Sequence, residues 1–538
     1  MKPLSASVFA FVMSAPCAIA QAAPLTWNLY DGYTQSFTVP YASPVPFGSA
    51  GMPAGLRMNA TIGGNTITFQ LDTGSRGIAV SRDLLPPNFP AKGKPGHIFY
   101  WSSGNRLNGR WIETQVTFPD AADGQTGTSA PAQATLPILV VETETCVAAP
   151  AGEVFPNHCA DPGVTKPATG VTMMGIGFDR TGHGDTPNND RWNQQFNPFL
   201  NLDAMRSGSM RAGYILTPLG VQLGLTAANT ANAGKPGMSV SDFAFQKLVP
   251  TGLKQVHGSP PDWQAPTGSV TLNGTAYPVG QAVLDTGIDD MLLSLPAHPS
   301  SGNLTAGTLA VSLLDSNGAV GYGFSISDAQ DPLTPASVTW SPLQPGRWSE
   351  NRMSGAFVNT GVRALNAFNF LYDGTGGYVG LQLNGVAAGV SAYLSPQISA
   401  QGRLQVLNGF DTNLPVILQG KTAVSVSGKP SGTATFNGPV SGTGGLTVKK
   451  GTVVLACDAS YPGVTVVNSG AILIYSRLAG KLKRMPGGVV IRVPSPSGTN
   501  CPAGVNWGAA HGNDPSPGYR DSPGTARHTM DTLAGTDS

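Results

Sequence analysis

Charge is what this chain of 538 residues has least of: Asp, Glu, Lys and Arg make up 11%, and the formal net charge is +1. With so little positive excess there is no basic field to hold nucleic acid. The same scarcity removes charge repulsion as a cause of disorder over the main body. Long apolar runs are missing too. Beyond the first residues, no stretch reaches the roughly 18–20 apolar residues that a membrane-spanning helix needs, so no transmembrane segment is expected in the mature chain. Long helical periodicity is nearly absent, which excludes a helical bundle. The seven histidines are scattered and no Cys-x-x-Cys occurs, so neither a metal nor a cofactor is expected.

What is abundant is punctuation. The chain holds 69 glycines and 45 prolines, set between short apolar runs, which reads as mainly β. The length leaves room for two or three domains. At the start, Lys2 precedes an apolar run from Leu4 to Met13 and then small residues through Ala23. Residues 1–23 thus read as a secretory signal peptide cleaved near Ala20 or Ala23, and the protein as exported to periplasm, surface or medium. Cys17 leaves with that peptide. Cys146, Cys159, Cys457 and Cys501 remain, an even count that favours disulfides in an exported chain. Cys146 and Cys159 flank a Pro-containing loop and are expected to pair, leaving Cys457 for Cys501.

One phrase occurs twice, far apart: Leu71-Asp72-Thr73-Gly74 and Leu284-Asp285-Thr286-Gly287. Each follows a β-like run, Thr66 to Leu71 and Gln281 to Leu284. Each precedes an apolar triplet with a serine, Ile78-Ala79-Val80-Ser81 and Met291-Leu292-Leu293-Ser294. A single Asp-Thr-Gly is an ordinary turn after a strand. Repetition of the whole context implies two similar lobes, each offering one carboxylate. Two carboxylates brought together share a proton, so one serves as base toward water and the other as acid toward a carbonyl.

In these motifs the chain resembles the pepsin-like aspartic proteases, over roughly residues 55–395. Arg57-Met58-Asn59-Ala60-Thr61-Ile62-Gly63-Gly64 is similar to the family's opening strand and hairpin. Ile98-Phe99-Tyr100-Trp101-Ser102-Ser103-Gly104 resembles the flap that closes over substrate. Met173-Met174-Gly175-Ile176-Gly177 looks like the strand behind the first aspartate, with Phe357-Val358-Asn359-Thr360-Gly361 a looser second copy. Asn369 to Asp373 and Gly377 to Leu381 resemble the closing strands. The resemblance implies a bilobal fold and an endopeptidase whose aspartates Asp72 and Asp285 activate one water. Thr73, Gly74, Ser75, Thr286 and Gly287 would support the dyad. Tyr100, Trp101, Asp289 and Asp290 would face a peptide or protein substrate in an extended conformation, and a monomer is expected.

Two departures bear on the chemistry. Ile288 stands where the family usually has a hydroxyl residue, although retroviral-type proteases carry a similar Asp-Thr-Gly-Ala-Asp-Asp run. Without a donor there, the activity window is expected to lie higher than for two hydroxyls, at about pH 4–6. Arg76 follows Ser75, and a cation so placed would depress the carboxylate pKa values. Asp179, Asp185 and Asp190 match no calcium loop and read as a solvated loop. Residues 24–56 contain no Lys or Arg, so no acid-labile pro-segment lock of the pepsin kind is expected.

After about residue 400 the pattern changes. Val440 to Gly451, then Val453-Val454-Leu455 and Val464 to Gly470, resemble the β-strand repeat of autotransporter passengers, with a degenerate copy near Gly428 to Gly438. Such units need about three neighbours to bury a core, so the segment must dock on something. The division is therefore 1–23 signal peptide, 24–55 N-terminal extension, 56–250 and 251–395 the two lobes, 396–493 a small β-helix-like appendage, and 494–538 a disordered tail. Truncation near residue 400 is expected to leave the lobes folded. The same motifs fit two other functions, a silent binding module on this fold and a surface adhesin that uses the repeat.

Overall fold

The computed structural model describes residues 28–53, 55–100, 103–148, 161–179, 194–230, 243–256, 258–296, 302–314, 319–342, 356–386, 390–427 and 432–493. Residues 1–23, the tail 494–538, Trp101, Cys159, Cys501, Asp185 and Asp190 lie outside them. The described chain is mainly β, and its α-helices are the single turns Asp203–Arg206 and Ala227–Thr230. None of its helices is long and apolar enough to cross a membrane.

Alternation builds the strands. In Arg57–Ile62 the residues Met58, Ala60 and Ile62 are buried while Arg57, Asn59 and Thr61 face outward, the period-two pattern of a sheet with one covered face. The strand pairs with Asn65–Asp72 through a tight hairpin. Beside Asn65–Asp72 runs Thr172–Ile176, parallel to it and antiparallel to Arg76–Ser81. These belong to an eight-stranded sheet. A nine-stranded sheet repeats the arrangement: the hairpin Gly268–Leu272 and Thr275–Val283, then Ala356–Asn359 parallel to Thr275–Val283 and antiparallel to Met291–Leu295.

A third sheet lies across both sequence halves. Phe37–Val39 pairs with Gly220–Leu223, Gly213–Thr217 pairs with Phe368–Asp373, and Ala244–Lys247 pairs with Tyr378–Leu383. Residues 28–53 are thus part of the folded body, contributing Phe37–Val39 to this sheet and Tyr30 to a buried core.

The C-terminal segment is β-solenoid-like. In one ladder Ile398–Leu407, Val416–Ser427, Gly445–Leu455, Thr465–Val467 and Leu482–Arg484 stack in parallel. A second ladder stacks Phe410–Thr412, Thr433–Phe436, the end of Gly445–Leu455, Ala471–Tyr475 and Val489–Arg492. Register aligns Leu404, Val424, Val448 and Val467 into one buried column, and Phe410, Ala434, Val453 and Leu473 into another. There are more rungs than the one clear copy and one degenerate copy that the sequence displays. Each rung asks only for an apolar residue at alternate inward positions, so the loops between rungs are free to vary.

The solenoid is not a detached appendage. Ile398–Leu407 pairs in parallel with Ala244–Lys247 and so extends the third sheet. Leu29, Tyr30, Phe243, Phe245, Leu371 and Tyr378 share one core with Ile398, Leu404 and Phe410. Asn28 donates to Gly409 O at 2.8 Å and accepts from the Asp411 N–H at 2.8 Å. The expected independence of the lobes from everything past residue 400 does not agree with this shared core.

Candidate active site

The strand Asn65–Asp72 ends on its aspartate, and Asp285 stands two residues beyond Thr275–Val283. Each motif leaves its sheet and meets the other. Thr73 Oγ1 donates to Leu284 O at 2.6 Å and accepts from the Thr286 N–H at 2.9 Å. Thr286 Oγ1 donates to Leu71 O at 2.9 Å and accepts from the Thr73 N–H at 3.1 Å. All four groups are buried, so each would be costly to leave unpaired. This reciprocity levels the two aspartates. Within each turn the glycine N–H returns to the aspartate: Gly74 to Asp72 Oδ1 at 2.6 Å, Gly287 to Asp285 Oδ1 at 2.8 Å.

The glycines are dictated by the opposite carboxylate. A Cβ on Gly74 would lie 2.1 Å from Asp285 Oδ2, and one on Gly287 would lie 2.6 Å from Asp72 Oδ1. No side chain fits at either place, so each backbone approaches the other motif's acid as closely as a backbone can.

Asp72 and Asp285 are only 5% and 6% exposed, which makes ionising both expensive. The two carboxyl groups lie close together: a Cβ on Gly287 would fall 2.6 Å from Asp72 Oδ1 and 3.1 Å from Asp285 Oδ1. Burial holds the Asp72 pKa well above the usual carboxylate range, and the neighbouring charge and hydrogen bond of Asp285 raise it further. The Ser75 hydroxyl and the Gly74 N–H oppose that shift.

Asp285 does not lack a donor despite Ile288. Asn359 Nδ2 donates to Asp285 Oδ2 at 2.7 Å, and Asn359 Oδ1 accepts from the Gly361 N–H at 3.0 Å. Sequence reasoning missed this residue's role. The available signal was a lone polar residue in the apolar run before Thr360-Gly361. The Ile288 carbonyl takes the Val362 N–H at 2.9 Å.

Tyr100 ends the hairpin strand Lys94–Tyr100, which pairs with Asn105–Phe118. Its hydroxyl is buried close to Asp72 and Ser75; burial and the Asp72 charge raise its pKa, and Ser75 opposes. Asp290 is buried and its carboxylate accepts from Ser337 Oγ at 2.8 Å. That bond ties it to the residue before the strand Val338–Pro342 of the nine-stranded sheet. Asp289 influences Asp290 and Arg363 electrostatically.

Arg76 is not a free cation beside the dyad. Its Nη2 pairs with Asp262 Oδ1 at 3.1 Å, both side chains fully buried. The same oxygen accepts from Gln194 Nε2 at 2.7 Å. Asp179, read as part of a solvated loop, instead accepts from the Ala265 N–H at 2.7 Å through Oδ2. Cys146 ends the strand Ala132–Cys146 and Cys457 is buried beside the solenoid, while their expected partners are outside the described residues. Among the described residues no group of three His, Cys, Asp or Glu could hold a metal ion.

No protein-family model matches this chain, and no curated protein matches it.

Proposed function

We propose that this chain is an exported aspartic endopeptidase of the bilobal, pepsin-like kind. The observation that carries the reading is a pair of buried carboxyl groups, Asp72 and Asp285, brought side by side where two sheets of like strand pattern meet. A dyad with one proton needs no metal and no covalent intermediate. Asp285 takes a proton from water as the water oxygen attacks the scissile carbonyl carbon, and Asp72 gives its proton to the carbonyl oxygen. Collapse of the tetrahedral species breaks the C–N bond. The amine leaves with the proton from Asp285, and Asp72 recovers one from the hydroxyl.

Tyr100, at the end of the edge strand Lys94–Tyr100 of the eight-stranded sheet, suits a substrate lying extended and paired through its backbone. The disulfides Cys146–Cys159 and Cys457–Cys501 belong to this reading of an exported protein. The test is cleavage of varied peptides by the purified protein across acidic pH, with and without a transition-state mimic such as pepstatin. Inhibitable cleavage is expected, and absence of any cleavage overturns the proposal in favour of a silent fold.

A further inference from the structure

The two sheets are alike in pattern but unlike in one residue. Met173 pairs with Gln70, two residues before Asp72. Asn359 pairs with Val283, two residues before Asp285. The two positions correspond, so an apolar thioether stands behind one aspartate and an amide behind the other.

The orientation of that amide is determined by its neighbours. Asn359 Oδ1 is taken by the Gly361 N–H at 3.0 Å, which turns Nδ2 toward Asp285 Oδ2 at 2.7 Å. Asp285 then has a protein N–H on each oxygen, from Asn359 and from Gly287 at 2.8 Å. Asp72 has the Gly74 N–H on Oδ1, and the Ser75 hydroxyl near it only partly offsets the burial that favours its protonated form. Donors to both oxygens favour the ionised form. We propose that Asn359 is a positioning residue that holds Asp285 as the ionised member of the dyad and so places the shared proton on Asp72.

The inference rests on the endopeptidase reading for its kinetic consequence, but not for its electrostatic one. The titratable groups facing Asp285 are Asp72 and, across it, Tyr100. Arg76 is occupied by Asp262, and Asp290 by Ser337. Removing the donor should make Asp285 harder to ionise and move the acidic limb of activity upward, narrowing the active window from below.

Two variants separate this from a structural role. Asn359→Leu removes both bonds. Asn359→Asp keeps an acceptor for the Gly361 N–H and replaces the donor by a third acid. Both are to be compared with wild type by pH–rate profile and by carboxyl-carbon NMR titration of the purified full chain, with Asp72→Asn and Asp285→Asn identifying the signals. The acidic limb and the lower carboxyl titration should rise by about one unit in Asn359→Leu and further in Asn359→Asp. Unmoved titrations in both variants, whatever their stability, overturn the inference. Shifted carboxyl titrations in a protein that cleaves nothing uphold it while refuting the protease.

Discussion

Thr73 and Thr286 each donate a hydroxyl to the carbonyl one residue before the other motif's aspartate, Thr73 to Leu284 at 2.6 Å and Thr286 to Leu71 at 2.9 Å. Neither motif is held by its own sheet alone. Replacing either threonine with valine keeps the shape and deletes the donor, leaving a buried carbonyl unpaired at about 1–3 kcal/mol. The double substitution should cost less than the sum, because each threonine also accepts from the other's N–H. Denaturant unfolding of the four proteins checks this, and strict additivity would mean that the two contacts act independently.

Asp72→Asn and Asp285→Asn should each lower turnover at least about 100-fold while leaving the fold intact, since one carboxyl cannot serve as both acid and base. Circular dichroism and peptide cleavage together check it. Near-normal turnover in either variant removes that aspartate from the dyad.

Stability should depend on pH through Asp72. Its folded pKa is raised by burial and by Asp285 above an unfolded value near 4. The folded chain therefore binds that proton more tightly, giving stability that is full below the unfolded pKa and lost as pH rises through the folded one. Asp290 and Asp31, also raised by burial, act in the same direction. Lys247, lowered by burial to about 7, titrates above the acid range and acts in the opposite direction, because the folded chain gives up that proton first. Melting curves from pH 4 to 6.5 should decline more steeply for wild type than for Asp72→Asn. Parallel curves would show that Asp72 is not protonated in the folded acid state.

A stop codon after Ser395 should yield a poorly soluble or strongly destabilised protein. It would uncover Tyr30, Phe243, Phe245, Leu371 and Tyr378 and remove the strand beside Ala244–Lys247. A stop after Arg477, which removes the last rung and all that follows it, Cys501 included, combined with Cys457→Ser, should fold. Solubility and thermal melting distinguish them, and equal behaviour would restore the repeat to the status of an appendage.

Breaking the buried pair Arg76–Asp262 should be costly, because the survivor is an unpaired charge. Asp262→Ala is expected to lose about 3–5 kcal/mol, and adding Arg76→Met should recover part of it. Chemical denaturation measures both; a milder effect for Asp262→Ala than for the double variant would contradict the pairing.

Period-two alternation and Gly/Pro punctuation make a mainly β chain legible without coordinates, since those patterns are local. The repeated Leu-Asp-Thr-Gly with its flanking strand and apolar triplet was legible for the same reason. The solenoid was legible only in its most regular stretch around Val440 to Gly470, because Leu404, Val424, Val448 and Val467 are aligned by stacking and not by a constant spacing.

What only tertiary structure decided is partnership between residues far apart in sequence. Nothing near Arg76 announces that Asp262 neutralises it, and nothing near Ile288 announces that Asn359 supplies Asp285 with its donor. Nor does composition reveal that Asn28 and Tyr30 seal the first turns of the repeat. A sequence records which groups exist and their local rhythm. The proton's place on the dyad depends on burial and on donors delivered by other strands, and those distances exist only once the sheets have met.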